Sequence, residues 1–507
     1  MSTARTLVKL LKSGVPIVIQ QTCILAVSVI AVSQVGRELG REYLAGLSLG
    51  NLTYNLLGLL LIIAPMNALE EKASQAFGAG RKAEVGLHCQ RAVVVAALLL
   101  APAACVWLNA APVLRAFGQP AAESDLAARF LRLMLPVLPI QTLFETAKRL
   151  LFAQGIMWPP VFAAVLAVVC HLLWVGPWVQ ACGFAGGPLS MLCAHGTMLL
   201  SLLLLMRVKP SHDPETWPGL QVRTILLRER KAMCTFITTS LASLVSLTEW
   251  LFWELICFRT GVLGPMPLAI HGVAYSTVPL LFMIPLGLSI ALSNGVGNAL
   301  GEGNVQSARR LALLTFPFAI VVALSYASPF YLFREHIIRL YTSDQEVIDG
   351  ALSLWPWVCL SLILFAVYGI ALGLLRGLGL QRRSAACILL SLWCIGFPMM
   401  LCLTSTIDDI WRLVPPIYVI LDVGLVGSSI ACVSWKRLSD DVRERHSLAK
   451  DDGAAEAAAA RSQDRPQPPH RQQDGQDAAQ PPPPSTDEVP QSTDEVVVVE
   501  MRGRAIR

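Results

Sequence analysis

The sequence predicts an all-α membrane protein, with twelve transmembrane helices in two six-helix lobes related by a parallel repeat. Three observations predict it. The 507 residues are 54% hydrophobic and only 15% charged, with a mean hydropathy of +0.57, whereas soluble proteins carry about 25% charged residues. Twelve apolar runs reach or approach spanning length, for which about 20 mostly apolar residues are needed. Short motifs of the first half recur in the second half at a nearly constant offset.

The first six runs are Val15–Val35, Leu47–Leu69, Ala92–Val113, Leu133–Phe152, Val161–Val179 and Leu189–Met206. The second six are Met233–Phe258, Leu268–Leu292, Leu311–Phe333, Ala351–Leu375, Ala385–Leu403 and Leu413–Ser434. Pro16, Pro65, Pro136, Pro139 and Pro285 fall inside runs, as kinked membrane helices allow. Arg81 and Lys82, Lys148 and Arg149, Arg228 to Lys231, Arg309 and Arg310, and Arg382 and Arg383 gather at the even-numbered loops. The positive-inside rule then puts both termini in the cytoplasm.

Gln75-Ala-Phe-Gly-Ala-Gly80 matches Asn298-Ala-Leu-Gly-Glu-Gly303 at an offset of 301 − 78 = 223. Leu114-Arg-Ala-Phe117 matches Ile338-Arg-Leu-Tyr341, and Gln154-Gly155 matches Leu378-Gly379, both at 224. Six helices per half give both halves the same orientation in the membrane, so the repeat axis runs along the membrane normal. The domains expected are an N-terminal lobe over 1–206, a cytoplasmic linker over 207–232, a C-terminal lobe over 233–435 and a cytoplasmic tail over 436–507. Ala454 to Ala460, the proline run Pro481–Pro484 and a repeated Ser-Thr-Asp-Glu-Val leave the tail too little apolar surface to fold, and disorder is expected there. It reads either as a partner-binding or phosphorylated tail, or as an inert solvated one.

A net charge of +5, with the basic residues beside the apolar runs, gives no reason to expect nucleic acid as a partner. Most of the thirteen cysteines, among them Cys23, Cys105, Cys170, Cys257 and Cys402, lie in apolar runs, where Cys acts as a small hydrophobe. No CxxC or Cys/His metal spacing occurs, so no metal and no cofactor are expected. Arg5, Lys9 and Lys12 precede the first run without a small-residue cleavage site, which reads as a first membrane helix rather than a removed signal peptide.

The informative charges lie inside the runs. Glu249 and Glu254 occupy the seventh, in Ser246-Leu-Thr-Glu-Trp-Leu-Phe-Trp-Glu-Leu-Ile-Cys-Phe258. An ionisable group there costs at least ~2.5 kcal/mol on insertion scales and marks a functional site by default. Five residues apart, the two lie about 140° apart around an ideal helix and need not share a face. Glu249 is the candidate for a central cavity, and Glu254 lies nearer the outer end; the alternative for each is a structural carboxylate held by a backbone or Trp donor. Desolvation works against the charged form of any carboxylate, which suits a group that takes up and releases a proton. Trp250 and Trp253 stand beside these acids, either stacking on a cationic substrate or simply packing.

Asp422 lies in the twelfth run. Helix 7 runs outward and helix 12 inward, so Glu249 and Asp422 each sit nine residues below the outer face, roughly 13 Å deep. They either share a proton, as close carboxylates do, or Asp422 is held structurally by neighbouring helices. His171 and His195 read either as groups that titrate near pH 6.5 or as hydrogen-bonded packing residues, and Glu70 and Glu71 beside Lys72 as a solvated cluster at a helix end. Asn51-Leu-Thr53 fits a glycosylation sequon but lies within helix 2.

Together these segments resemble the multidrug and toxin extrusion (MATE) family. Leu69-Glu70 with Ser74-Gln-Ala-Phe-Gly-Ala-Gly80 is similar to its helix 2 and following loop, and Gln154-Gly155 through Pro160 to its loop after helix 4. Leu247 to Glu254 resembles the helix 7 signature of eukaryotic members, Met283-Ile-Pro-Leu-Gly287 through Asn304 the helix 8 region, and Arg339 to Ile348 the loop before helix 10. The likeness covers roughly Val15 to Trp435. It implies a monomeric multi-pass transporter of the plasma or vacuolar membrane that exports small organic cations in exchange for protons rather than sodium. Carried over by position, Glu249 and Glu254 match acids tied to proton coupling and substrate binding. Phe365 stands where eukaryotic members carry a helix 10 acid, and Ser276 where some animal members carry a helix 8 acid.

Two other readings are a lipid-linked sugar flippase of the same superfamily and a non-transporting receptor or scaffold. The first calls for basic central residues, whereas the central charges here are acidic. A membrane-embedded enzyme would need a His/Asp or Cys/His constellation near one interface, and the sequence offers none.

Overall fold

A computed structural model describes residues 3–262, 265–275, 277–406, 414–431, 433–436 and 439–440. Among the described residues the chain is helical, without strands. The tail expected over 436–507 falls almost wholly outside them.

The N-terminal half opens with α1 (Thr3–Leu39), and α2 (Arg41–Tyr54) runs through a π-helical stretch, Asn55–Leu59, into α3 (Leu60–Gly78). Then come α4 (Lys82–Leu108), α5 (Ala110–Ala116), α6 (Ala121–Met134), α7 (Val137–Ala153), α8 (Trp158–Cys182) and α9 (Gly186–Val208). The connector carries α10 (Val222–Leu227). The C-terminal half comprises α11 (Arg230–Val262), α12 (Pro265–Tyr275), α13 (Val278–Gly301), α14 (Val305–Leu332), α15 (Arg334–Arg339) and α16 (Gln345–Gly377). It ends with α17 (Gln381–Ile388), a second π-helical stretch (Leu389–Gly396), α18 (Phe397–Thr406) and α19 (Val414–Ala431).

Nine helical stretches among the described residues are long and apolar enough to cross a membrane, ten if the bent pair α6–α7 is one span. The expected twelve exceed that count. One 51-residue stretch, Trp158–Val208, contains both α8 and α9, which turn at Gly183 (φ +59°) and pack along each other. The helices also outrun the apolar runs. At 1.5 Å per residue the 37 residues of α1 span about 55 Å against a hydrocarbon core of about 30 Å, so its first turns, with Arg5, Lys9 and Lys12, project beyond it. The prolines act as expected in the fourth run: α6 and α7 meet at 52° where Pro136 interrupts the helix.

The repeat is visible in the backbone. Gly80 and Gly303, offset by 223, have φ of +74° and +76°; Gly155 and Gly379, offset by 224, have +75° and +74°. These left-handed positions favour glycine, and each follows the last turn of a helix at an even-numbered loop. One apolar core lies within the N-terminal half, around Leu69, Trp107, Phe130 and Phe144. A second joins the halves through Ile17, Phe152, Leu292 and Val296. Two smaller clusters fill the C-terminal half.

The connector is clipped to the N-terminal half. Lys82 Nζ lies 2.7 Å from Asp213 and 3.0 Å from Glu215. Gln90 donates to the Gly219 carbonyl at 2.8 Å and accepts from the Gln221 backbone N–H at 2.7 Å. Arg91 pairs with Glu229. Hydrogen bonds from Lys82, and next from the Glu215 backbone, hold the Asp213 carboxyl below its ordinary range. The clip therefore stays formed above the free carboxylate's range and is lost as pH falls through the lowered value. Acidification and Lys82→Gln are each expected to speed proteolysis beside the exposed Leu220. Equal cleavage of the Lys82→Gln and parent chains at neutral pH would count against the clip.

Candidate functional site

Glu249 lies midway along α11, on the face turned into the C-terminal half, and is 3% exposed. Both carboxylate oxygens are engaged. Tyr368 on α16 donates its hydroxyl to Oε2 at 2.8 Å. Trp253, one turn further along α11, donates its indole N–H to Oε1 at 3.3 Å. Both donors are neutral. Phe252, Ile256, Ile388 and Leu392 form one buried apolar cluster with Tyr368, and Trp253 packs against it. Trp393, in the second π-helical stretch, bonds Thr248 at 2.9 Å and packs edge-on against Phe252 at 6.1 Å.

Phe365 enters this shell directly. Its ring lies 5.2 Å from Trp253, 5.5 Å from Phe282 and 6.2 Å from Tyr368. Phe365 thus forms an aromatic wall beside Trp253 and Tyr368, the two donors to Glu249. A buried charge without an opposite partner is costly, so a carboxylate held, among the described residues, by neutral donors suits uptake and release of one proton.

Of the other expected residues, Glu254 and Trp250 do not join these contacts. Glu254 is exposed, as the 140° separation allows. Trp250 is 40% exposed, and Trp253 rather than Trp250 binds the acid. Asp422 lies on α19, which packs against α16, but its side chain falls outside the described residues, as does Ser276. His171 and His195 are buried, and His195 Nδ1 lies 2.8 Å from the Met191 carbonyl.

A second set of buried charges departs from the sequence expectation. Glu70 and Glu71 are 1% and 2% exposed, not solvated. Lys148 and Arg149 are not loop charges: both are buried on α7 around Glu145, with Lys148 Nζ 2.6 Å from its carboxylate and Arg149 paired to it. Glu145 precedes them by three and four residues, the spacing at which helical side chains meet, and that signal was available. Tyr368 gave none, because a tyrosine in an apolar run reads as packing.

A model of the MatE family matches residues 16–175 and, a second time, residues 242–401. The chain belongs to the MatE family. The two matches begin 242 − 16 = 226 residues apart, close to the motif offset. Multidrug and toxin extrusion protein 1 of Danio rerio is 27% identical over 412 residues, 80% of this chain and 69% of that protein. An uncharacterized transporter of Schizosaccharomyces pombe is 30% identical over 348 residues, 68% of this chain; the chain spans 64% of its length. The crystal structure of the eukaryotic MATE transporter AtDTX14 shares the fold with a TM-score of 0.79 at 22% identity, covering 87% of this chain and 99% of that one. Like its relatives, the MatE chain is an integral, multi-pass membrane protein.

Proposed function

We propose that this MatE chain is a secondary antiporter that exports small organic cations in exchange for protons. The observation that carries the proposal is the burial of Glu249 within a membrane helix, its two oxygens held, among the described residues, by Tyr368 and Trp253. Proton release leaves a carboxylate that attracts a cation, and proton uptake discharges the cation. One site then serves both ions in turn, which is what exchange requires. The aromatic rings of Trp253, Phe365 and Phe282 suit cations with apolar bulk, since ring faces attract cations. We assign the proton to Glu249 rather than to the exposed Glu254, and propose Asp422 as a second carboxyl that tunes it.

We take the two matched halves as lobes, 1–206 and 233–435, that rock about the central cleft, with both termini cytoplasmic at the plasma or vacuolar membrane and the chain acting as a monomer. The repeat supports that motion. The test is efflux of a fluorescent organic cation from proteoliposomes under an imposed pH gradient, then under a sodium gradient. Efflux driven by pH alone is expected. Efflux driven only by sodium, or by neither gradient, would reject the proposal.

A further inference from the structure

The two halves touch where their repeat motifs touch. Gln75 and Asn298 are equivalent positions, and so are Gly78 and Gly301. A Cβ on Gly78 would fall on the Asn298 carbonyl, and a Cβ on Gly301 would fall on the Gln75 carbonyl. The ends of α3 and α13 therefore cross with backbone against backbone, which only glycine permits there. Side-chain amides repeat the symmetry. Gln75 donates to the Gly377 carbonyl at 3.1 Å, and Asn298 donates to the Ala153 carbonyl at 3.2 Å. Residues 377 and 153 are themselves offset by 224. Each amide thus reaches from one half to the last turn of α16 or α7 in the other.

The charges break this symmetry. Glu70 on α3 accepts from Arg376 of the opposite half at 3.4 Å. Its second oxygen lies 3.9 Å from Arg149 Nε, in its own half. The equivalents of Glu70 and Arg376 are Ser293 and Phe152, both uncharged. Arg149 is also fixed within its half by Glu145 and by the Met66 carbonyl at 3.0 Å. If the halves part at this end, Arg376, with 13% of its side chain exposed, reaches solvent. Glu70, at 1%, is the more buried of the two in the closed contact, and Arg149, 3.9 Å from its second oxygen, stands ready as a partner when Arg376 leaves.

We propose that this contact is a latch that closes the molecule at the face of the even-numbered loops, with the Glu70–Arg376 ion pair as its releasable part. The glycines and amides set the register of closure. The ion pair sets its strength, and Arg149 keeps Glu70 compensated while the latch is open. The same α16 that ends in the latch carries Tyr368, eight residues or about 12 Å earlier, so the helix bonded to Glu249 is the helix that releases.

The test uses the full chain in lipid nanodiscs with Ser74→Cys as the probe. Ser74 is fully buried at the crossing, against Gly297. Its alkylation by a maleimide is followed peptide by peptide, with native Cys89, 1% exposed inside the N-terminal half, as an internal control for general loosening. Loss of one charge-assisted hydrogen bond shifts a two-state equilibrium about ten-fold. Arg376→Gln is expected to speed alkylation at position 74 by about that factor and to leave Cys89 unchanged. Gly301→Ala pries the same contact apart without touching a charge and is expected to act in the same direction. An unchanged rate at position 74 in Arg376→Gln, or a parallel rise at Cys89, overturns the proposal. Should Arg376→Gln fail to assemble, Gly301→Ala must show the selective rise for the latch to stand.

Discussion

Glu249→Gln is expected to abolish pH-driven efflux while leaving the protein assembled in the membrane. The substitution keeps the shape of the side chain and its hydrogen-bonding positions. Its carbonyl oxygen accepts from the Trp253 indole, and Tyr368, whose hydroxyl both donates and accepts, turns to meet the amide. What is lost is the titration: a neutral amide takes no proton on one side and releases none on the other, so exchange has no driving ion. Trp250→Ala is the matched control. Its ring is 40% exposed and lies outside the hydrogen bonds of Glu249, so its loss leaves the titrating group and both of its donors in place. Rates within about threefold of the parent are expected for it. The measurement is efflux of a fluorescent cation from proteoliposomes under an imposed pH gradient, with insertion checked separately. Parent-like pH-driven efflux by Glu249→Gln would remove Glu249 from the mechanism.

The burial of Glu249 was legible because one residue carried the whole signal: an acid in a spanning run is expensive unless it turns inward to partners. Its environment was not. Tyr368 lies 119 residues further along the chain, and nothing in its own run marks it as a donor. The same limit explains the error at Glu70. An acid two residues before a lysine reads as solvated, and only folding brings Arg376, 306 residues away, over it. Lys148 and Arg149 show a different failure. Counting them as loop charges used their sign and ignored their register, although Glu145 on the same face announced a buried network. The repeat fared better. Gly80, Gly155, Gly303 and Gly379 stood at matched offsets in the sequence and share one backbone conformation in the structure. A left-handed turn after a helix restricts the residue strongly enough to be read locally.

That buried network yields the largest expected effect on stability. Glu145 is 1% exposed and holds both Lys148 and Arg149, while Lys148 also reaches Gln21 on α1 at 3.4 Å. Glu145→Ala leaves two cations inside the N-terminal half facing, among the described residues, the single neighbouring carboxylate of Glu70. Removing one partner of a buried ion pair costs about 3–5 kcal/mol, a large share of a total stability of about 5–15 kcal/mol. Glu145→Ala is therefore expected to yield little monodisperse protein in detergent. The decisive comparison is the double variant Glu145→Gln with Lys148→Met. It removes one charge of each sign, leaves the net charge of the cluster unchanged, and leaves Arg149 its bond to the Met66 carbonyl and its neighbour Glu70. Neutral replacement of a buried ion pair is often tolerated, so the double variant is expected to recover most of the melting temperature lost in Glu145→Ala. Thermal unfolding followed by fluorescence-detected size exclusion measures both. A double variant as unstable as Glu145→Ala would mean that the network holds the half together by its geometry rather than by balance of charge.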